Sequence, residues 1–266
     1  MKLKKQYFKI GCWIAVAAVL AMFAGQYAYA GKIHTGLVIP PDQVIELAKN
    51  DPERLFKRSL TRFDATIHDY TGLLYKQERI RGKLGKEKVV EFKFKAKPYS
   101  ILMQWKKNPG KIDKLLYVEN KNDNKMLVHP TGLLSFIKSA KRDPYSKEVK
   151  RASLKTCTEF GFLKIIQELI NEYNPKIGEP KVTTKFVDTF KKYDRKFIRL
   201  EQTIDNPQDG KDAKRTILYD IDLMIPIERH AYDSNGNLLY KYGYRDLKFN
   251  TGLTDEDFTP KANGLK

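Results

Sequence analysis

Catalysis or metal binding needs nucleophiles, bases or ligands at workable spacing, and the 266 residues offer few. His34, His68, His129 and His230 are dispersed, and none has a second His or a Cys at the short spacings of structural metal sites, so no metal site is predicted. Ser135-Phe136-Ile137-Lys138 matches the SxxK of penicillin-recognising enzymes, but the SDN and KTG companions are missing. Gly82-Lys83 and Gly85-Lys86 hold the glycine and lysine of a phosphate loop without its spacing or its following Ser or Thr, and read as a hairpin turn. Asp255, Glu256 and Asp257 cluster in the C-terminal tail, where they read as a solvated turn rather than an acid–base pair. Neither GxSxG nor GxGxxG occurs. The expectation is a protein that is not an enzyme and uses no cofactor.

What the chain does offer is apolar surface with strict alternation. In residues 68–105, Val90, Phe92, Phe94 and Ala96 alternate with Glu91, Lys93 and Lys95, which puts apolar groups on one face of a strand and charge on the other. After Pro98, Tyr99, Ile101, Met103 and Trp105 share a face, and only Leu102 interrupts the opposite polar set of Ser100, Gln104 and Lys106. An apolar, aromatic sheet face of this size must be covered by helices, by another sheet or by a ligand.

The first thirty residues read as an export signal. Lys2, Lys4, Lys5 and Lys9 precede an apolar run from Ile10 to Ala24, and Ala28-Tyr29-Ala30 supplies small residues at the positions a signal peptidase reads. Cleavage after Ala30 and a periplasmic location are expected; the alternative is an uncleaved inner-membrane anchor, since 10–30 is nearly a membrane span in length. Cys157 is then the remaining cysteine, which allows no intramolecular disulfide and reads as a buried small apolar residue. Export also changes the meaning of the net charge of +18. Nucleic acid is not the expected partner of an exported basic protein; an anionic membrane surface or an envelope protein is.

The flanking elements follow in order. Residues 42–50 read as a short helix, and Asp51-Pro52 starts a second with an N-cap and an N1 proline, carrying Leu55, Phe56, Leu60, Phe63 and Ile67 at helical spacing. Strands at 113–120 and 125–129 are joined by an Asn-rich turn, after which 130–157 is an irregular basic stretch, long enough to be a functional loop. Residues 159–173 carry Phe162, Ile165, Ile166, Leu169, Ile170 and Tyr173 as one stripe before Pro175, a helix that serves either as a lid over the sheet or as static core. Strands then continue to the hairpin at Asn235-Gly236. In the last strand Tyr240, Tyr242 and Tyr244 have one parity and Leu247 and Phe249 the other, which predicts a β-bulge near Arg245-Asp246. About ten strands in two blocks around a helix argue a mainly β fold with some α, a large antiparallel sheet curled around helices.

Two stretches carry a resemblance. DYTGLLYKQERIRGKL (69–84), the strand ending KAKPYSILMQW and LLYVENKNDNKMLVHP are similar to an exported bacterial family known as domain of unknown function fifteen-seventy-one, through Tyr70, Lys76-x-Glu78-Arg79, Gly82, Lys97-Pro98 and the Asn-rich hairpin before His129. The closing strands, with Pro226, Gly236, Leu247 to Asn250 and Asp257-Phe258-Thr259, resemble more loosely the LolA and LolB-like outer-membrane lipoprotein carriers. The resemblance implies one half-barrel domain over 31–266, an incomplete antiparallel β-barrel whose concave face is covered by helices and accommodates acyl chains.

The expected function is therefore a periplasmic binding or carrier protein for a lipid or lipoprotein acyl chain, with Val90, Phe92, Phe94, Tyr99, Ile101, Met103, Trp105, Ile166 and Leu169 against the chain and Arg79, Lys93 and Lys95 at a head group or partner. The alternative is a non-catalytic envelope scaffold whose cavity is filled by its own helices.

Overall fold

The computed structural model describes residues 39–192 and 194–265, all within one compact unit, Thr35–Lys266. The expected export segment lies outside the described residues, and among them no helix is long and apolar enough to cross a membrane. Two helices come first, α1 (Pro41–Asn50) and α2 (Pro52–Thr66). The boundary between them is the expected one: Pro52 opens α2 and the Asp51 carboxylate accepts a hydrogen bond from the Arg54 N–H at 3.0 Å.

Strands β1 (Asp69–Ile80), β2 (Lys83–Leu84), β3 (Lys88–Lys95), β4 (Ser100–Lys107), β5 (Ile112–Val118), β6 (Met126–Pro130) and β7 (Ala140–Arg142) form the first block. The short α3 (Lys147–Lys150) and the longer α4 (Phe162–Asn171) follow, and β8 (Val182–Lys192), β9 (Arg195–Ile204), β10 (Lys214–Asp220), β11 (Ile225–Tyr232) and β12 (Leu238–Phe249) complete the sheet. Its order is β7-β6-β5-β4-β3-β1-β12-β11-β10-β9-β8, antiparallel throughout, with β2 paired to β1. The protein is thus mostly β, an open antiparallel sheet with four helices. The expected ten strands become 12 because β2 and β7 are too short for alternation to reveal them.

The pairing of β1 with β12 joins the two blocks, and it contains the expected bulge. Thr71 faces Lys248 while Leu73 faces Arg245, so β12 carries one extra residue, with Asp246 at φ 53°. Tyr244 before the bulge and Leu247 and Phe249 after it consequently reach the same core. Opposite the bulge, a Cβ on Gly72 would stand 2.9 Å from the Arg245 carbonyl oxygen, so no larger residue fits.

The two faces of the sheet have different covers. On the convex face Leu116, Val118, Leu127, Phe258 and Leu265 form a small second core, with Leu102 packed against it. The C-terminal tail closes that face, which explains why Leu102 breaks the polar alternation of β4. On the other face, α2 and α4 pack on each other. Phe63 meets Tyr70, Phe162 and Phe249 at ring-centroid separations of 5.8, 5.6 and 6.0 Å, and Phe56 meets Tyr219 at 6.2 Å. The Ser59 hydroxyl bonds the Tyr219 hydroxyl, and Arg62 donates to the Leu223 carbonyl. Just before α4, Gly161 at φ 111° lies where a Cβ would come within 3.0 Å of the Tyr70 hydroxyl oxygen, and that oxygen accepts from the Phe162 N–H at 3.1 Å.

Candidate functional site

The helices fill only part of the concave face. Between α4, the sheet and the basic segment 130–157 lies a cavity of about 920 Å³, at the upper end of the roughly 300–1,000 Å³ typical of ligand sites. Residues from β6 and from β11 both line it, although β5, β4, β3, β1 and β12 lie between those strands, so the sheet must curl around the cavity.

Alternation supplies the walls. Leu74 of β1, Val90 of β3, Met103 and Trp105 of β4, Leu115 of β5 and Met126 and Val128 of β6 present one continuous apolar surface. Tyr240, Tyr242 and Tyr244 of β12 continue it, and Ile165 and Glu168 come from α4. Cys157 lies in the wall at 6% exposure, its Sγ 3.9 Å from Met126 Sδ. Burial pushes its thiol up to about 12, as expected for a packed rather than a reactive cysteine.

The basic segment is the roof. Ser153 stands at its attachment point: Ser153 Oγ donates to Glu78 Oε1 at 3.0 Å and accepts from Lys76 Nζ at 2.9 Å. Glu78 also pairs with Lys76 at 3.1 Å and accepts from the Leu154 N–H at 3.1 Å and the Tyr242 hydroxyl at 2.6 Å. Burial alone would raise the Glu78 carboxyl, but Lys76 and the Tyr242 hydroxyl outweigh it and the pKa is lowered. A second tie runs from Lys155 to Glu168 at 2.6 Å, with Arg229 on the same carboxylate at 3.2 Å. Beyond these ties the segment ends in an apolar tip, Leu133 at 95%, Leu134 at 53% and Phe136 at 78% exposure. Leu134 both lines the cavity and belongs to the tip.

The residues singled out by sequence fall into three groups. Val90, Met103 and Trp105 line the cavity. Phe92, Phe94 and Ile101 have the same parity but are packed against the protein itself: Phe92 and Phe94 lie 4.9 and 5.8 Å from the Phe160 ring, and Ile101 is fully buried in the main core. Tyr99 is anchored by its hydroxyl, which donates to the carbonyls of Cys157 and Phe160 at 2.7 and 3.0 Å. Ile166 and Leu169 are fully buried in the main core, and the next face of the same helix, Ile165 and Glu168, meets the cavity. Helix α4 therefore stands between the core and the cavity. Arg79, Lys93 and Lys95 have the outward parity of their strands. Lys93 pairs with Asp257 at 2.9 Å, Lys95 pairs with Asp255 beside the Phe258 ring, and Arg79 donates to the carbonyls of Leu238 and Gly82. Lys93 and Lys95 hold the C-terminal tail, whose acidic cluster is their counter-charge, and Arg79 holds a hairpin.

Sequence reasoning missed the charged residues on the inward face. Lys76 and Glu78 share the parity of Leu74, and Lys88 that of Val90, so charge at core parity was the available signal. Ser135 and Lys138 are exposed, and His129 Nδ1 lies 2.7 Å from Asp113. Among the described residues no group of three or more His, Cys, Asp or Glu is placed to hold a metal ion.

The architecture is an open, curled antiparallel sheet with a ligand-sized cavity under a tied roof. The chain belongs to the family described as "Protein of unknown function (DUF1571)", whose model matches residues 67–264. No protein of curated function matches it in sequence. Solved structures similar to it include a putative outer membrane lipoprotein-sorting protein domain from Vibrio parahaemolyticus, 12% identical over 85% of this chain and 100% of that one, TM-score 0.38. Lipoprotein LppX from Mycobacterium tuberculosis is 11% identical over 77% and 99%, TM-score 0.38. MucB from Pseudomonas aeruginosa, in complex with MucA, is 11% identical over 78% of this chain and 60% of its own, TM-score 0.45.

Proposed function

We propose that this is an exported, non-catalytic binding protein that carries an acyl chain of a lipid or lipoprotein in the cavity under segment 130–157. The observation that supports this most is that the protein's own helices stop at α4, leaving about 920 Å³ walled by Val90, Met103, Trp105, Leu115, Met126 and Val128. A helix-filled envelope scaffold would leave no such volume. Each methylene placed there is worth about 0.8 kcal/mol relative to water, so a chain needs no covalent attachment to bind usefully. The exposed Leu133, Leu134 and Phe136, with Arg142 and Arg151 also lining the cavity, make the tip suited to an anionic membrane surface in the periplasm, where a chain would enter or leave.

Native mass spectrometry of protein purified from its own envelope without detergent tests the reading. A stoichiometric co-purifying lipid or acylated peptide is expected. An apo mass that persists after incubation with phospholipid vesicles would move the reading to the envelope scaffold.

A further inference from the structure

The charge inside the cavity is not balanced, and the imbalance bears on what the chain is attached to. Lys76 of β1 and Lys88 of β3 are directly paired across the two strands and both line the cavity. Like charges so placed repel, since opposed side chains on a sheet start only about 5 Å apart at Cβ. Lys76 is answered by Glu78 and Ser153. Lys88 makes no ion pair among the described residues; burial lowers its pKa first, and Lys76 lowers it further against the opposing pull of Glu78. The Lys88 ammonium reaches to 3.8 Å from the place a Cβ on Gly110 would occupy, next to Lys111. Lys111 and, across the cavity lining, Arg81 likewise meet no carboxylate among the described residues. The acids around the cavity are already engaged: Glu78 by Lys76, Glu168 by Lys155 and Arg229, Glu159 by Lys155, Glu148 by Arg142 and Glu228 by Arg245 and His230.

We propose that the ligand is an anionic amphiphile, whose phosphate or carboxylate group is held by Lys88 with Lys111 while its chain lies along Trp105, Met103 and Val90. The proposal rests on the acyl-chain reading above and adds the charge of the head group. An anion at Lys88 offsets the cross-strand repulsion between Lys76 and Lys88, and its attraction to the lysine is screened less than on the open surface because the lysine is half-buried. A zwitterionic head places its own cation among Lys76, Lys88 and Lys111 and loses that advantage.

Isothermal titration calorimetry of the full chain with monomeric probes separates the possibilities. The probes are dodecyl phosphate, dodecylphosphocholine and inorganic phosphate, the first two kept below micelle-forming concentration. Dodecyl phosphate is expected to bind at least tenfold more tightly than dodecylphosphocholine. Lys88→Gln is expected to bring the two within threefold while leaving dodecylphosphocholine unchanged, and Lys93→Gln, the same charge change on the convex face, to leave the ratio intact. Equal wild-type affinities for the two amphiphiles would overturn the head-group assignment and leave the chain-binding reading standing. Binding of neither would remove both. Inorganic phosphate binding as tightly as dodecyl phosphate, or Lys93→Gln acting like Lys88→Gln, would also overturn it, the first by removing the chain and the second by reducing the effect to general surface charge.

Discussion

Beneath β9 and β10 the inward residues Ile198, Leu200, Ile217 and Tyr219 are fully buried in the main core, and Tyr219 is met by Phe56 and Ser59 of α2; beneath β3 to β6 the same alternation of side chains ends at an open cavity. The difference lies in what stands opposite. Helices α1 and α2 enter the chain before β1 and can cover only so much of a sheet that curls through eleven successive strands. The uncovered half is roofed by a segment with one short helix, held by hydrogen bonds and ion pairs rather than by a packed apolar face. The closed half holds the packed core and the open half holds the cavity, so changes in the two should have different signatures.

The largest effect on stability is expected from Phe162→Ala, which removes a fully buried ring touching Phe63, Tyr70 and Tyr244. Urea unfolding should show a loss of about 3–5 kcal/mol. Trp105→Ala, at the half-buried wall of the cavity, should cost only about 1 kcal/mol and should weaken binding of an acyl probe at least tenfold. Equal stability losses for the two would mean that the open half is packed like the closed one.

Next in size is the roof. Glu78→Gln removes the charge that answers Lys76 while keeping an acceptor for Ser153, and should cost about 2 kcal/mol. Amide hydrogen exchange across 143–156 should rise well above exchange in β9 and β10. The same separation should appear with pH. The Glu78 pKa is lowered by folding, so its contribution is complete above the unfolded carboxylate value near ~4.3 and is lost as pH falls through the lowered value. Glu168, which burial would raise but Arg229 and Lys155 lower, follows the same sign. Acidification of the wild type should therefore loosen the roof, and Glu78→Gln should remove part of that response; a roof equally protected at pH 3 and pH 7, values set well to either side of ~4.3, would show that these ties do not hold it.

The smallest effect on stability belongs to the tip. Replacing Leu133, Leu134 and Phe136 together by Ser should change unfolding by no more than about 0.5 kcal/mol, because these side chains are exposed. Flotation with anionic phospholipid vesicles should nevertheless fall. Unchanged flotation would remove the tip from the account of membrane contact and leave the cavity untouched.

Much of the frame was legible because it is local. The alternation in 90–96, the cap at Asp51-Pro52, the Asn235-Gly236 turn, where Gly236 has φ 77°, and the parity switch after Tyr244 each sit within a few residues of the structure they specify. The site was legible only as a face. Phe92 and Val90 have the same parity on the same strand, and which of them meets a cavity depends on where Phe160 and α4 lie, about seventy residues away in sequence. Lys93 and Lys95 looked available to a ligand because their partners Asp257 and Asp255 come from the far end of the chain. Lys88 carried the readable exception, a charge at core parity, but without its pairing to Lys76 it resembled any strand-end lysine.

The most direct test uses Trp105. Trp13, the other tryptophan of the chain, lies in the expected export segment, and a Trp13→Phe variant leaves the cavity wall as sole indole emitter whether or not that segment is removed. Titration with phospholipid brominated along its acyl chains should quench Trp105 emission at stoichiometric ratios, and unbrominated lipid of the same head group should displace it. Emission that is indifferent to brominated lipid under conditions where the lipid binds would place the chain elsewhere and contradict the account.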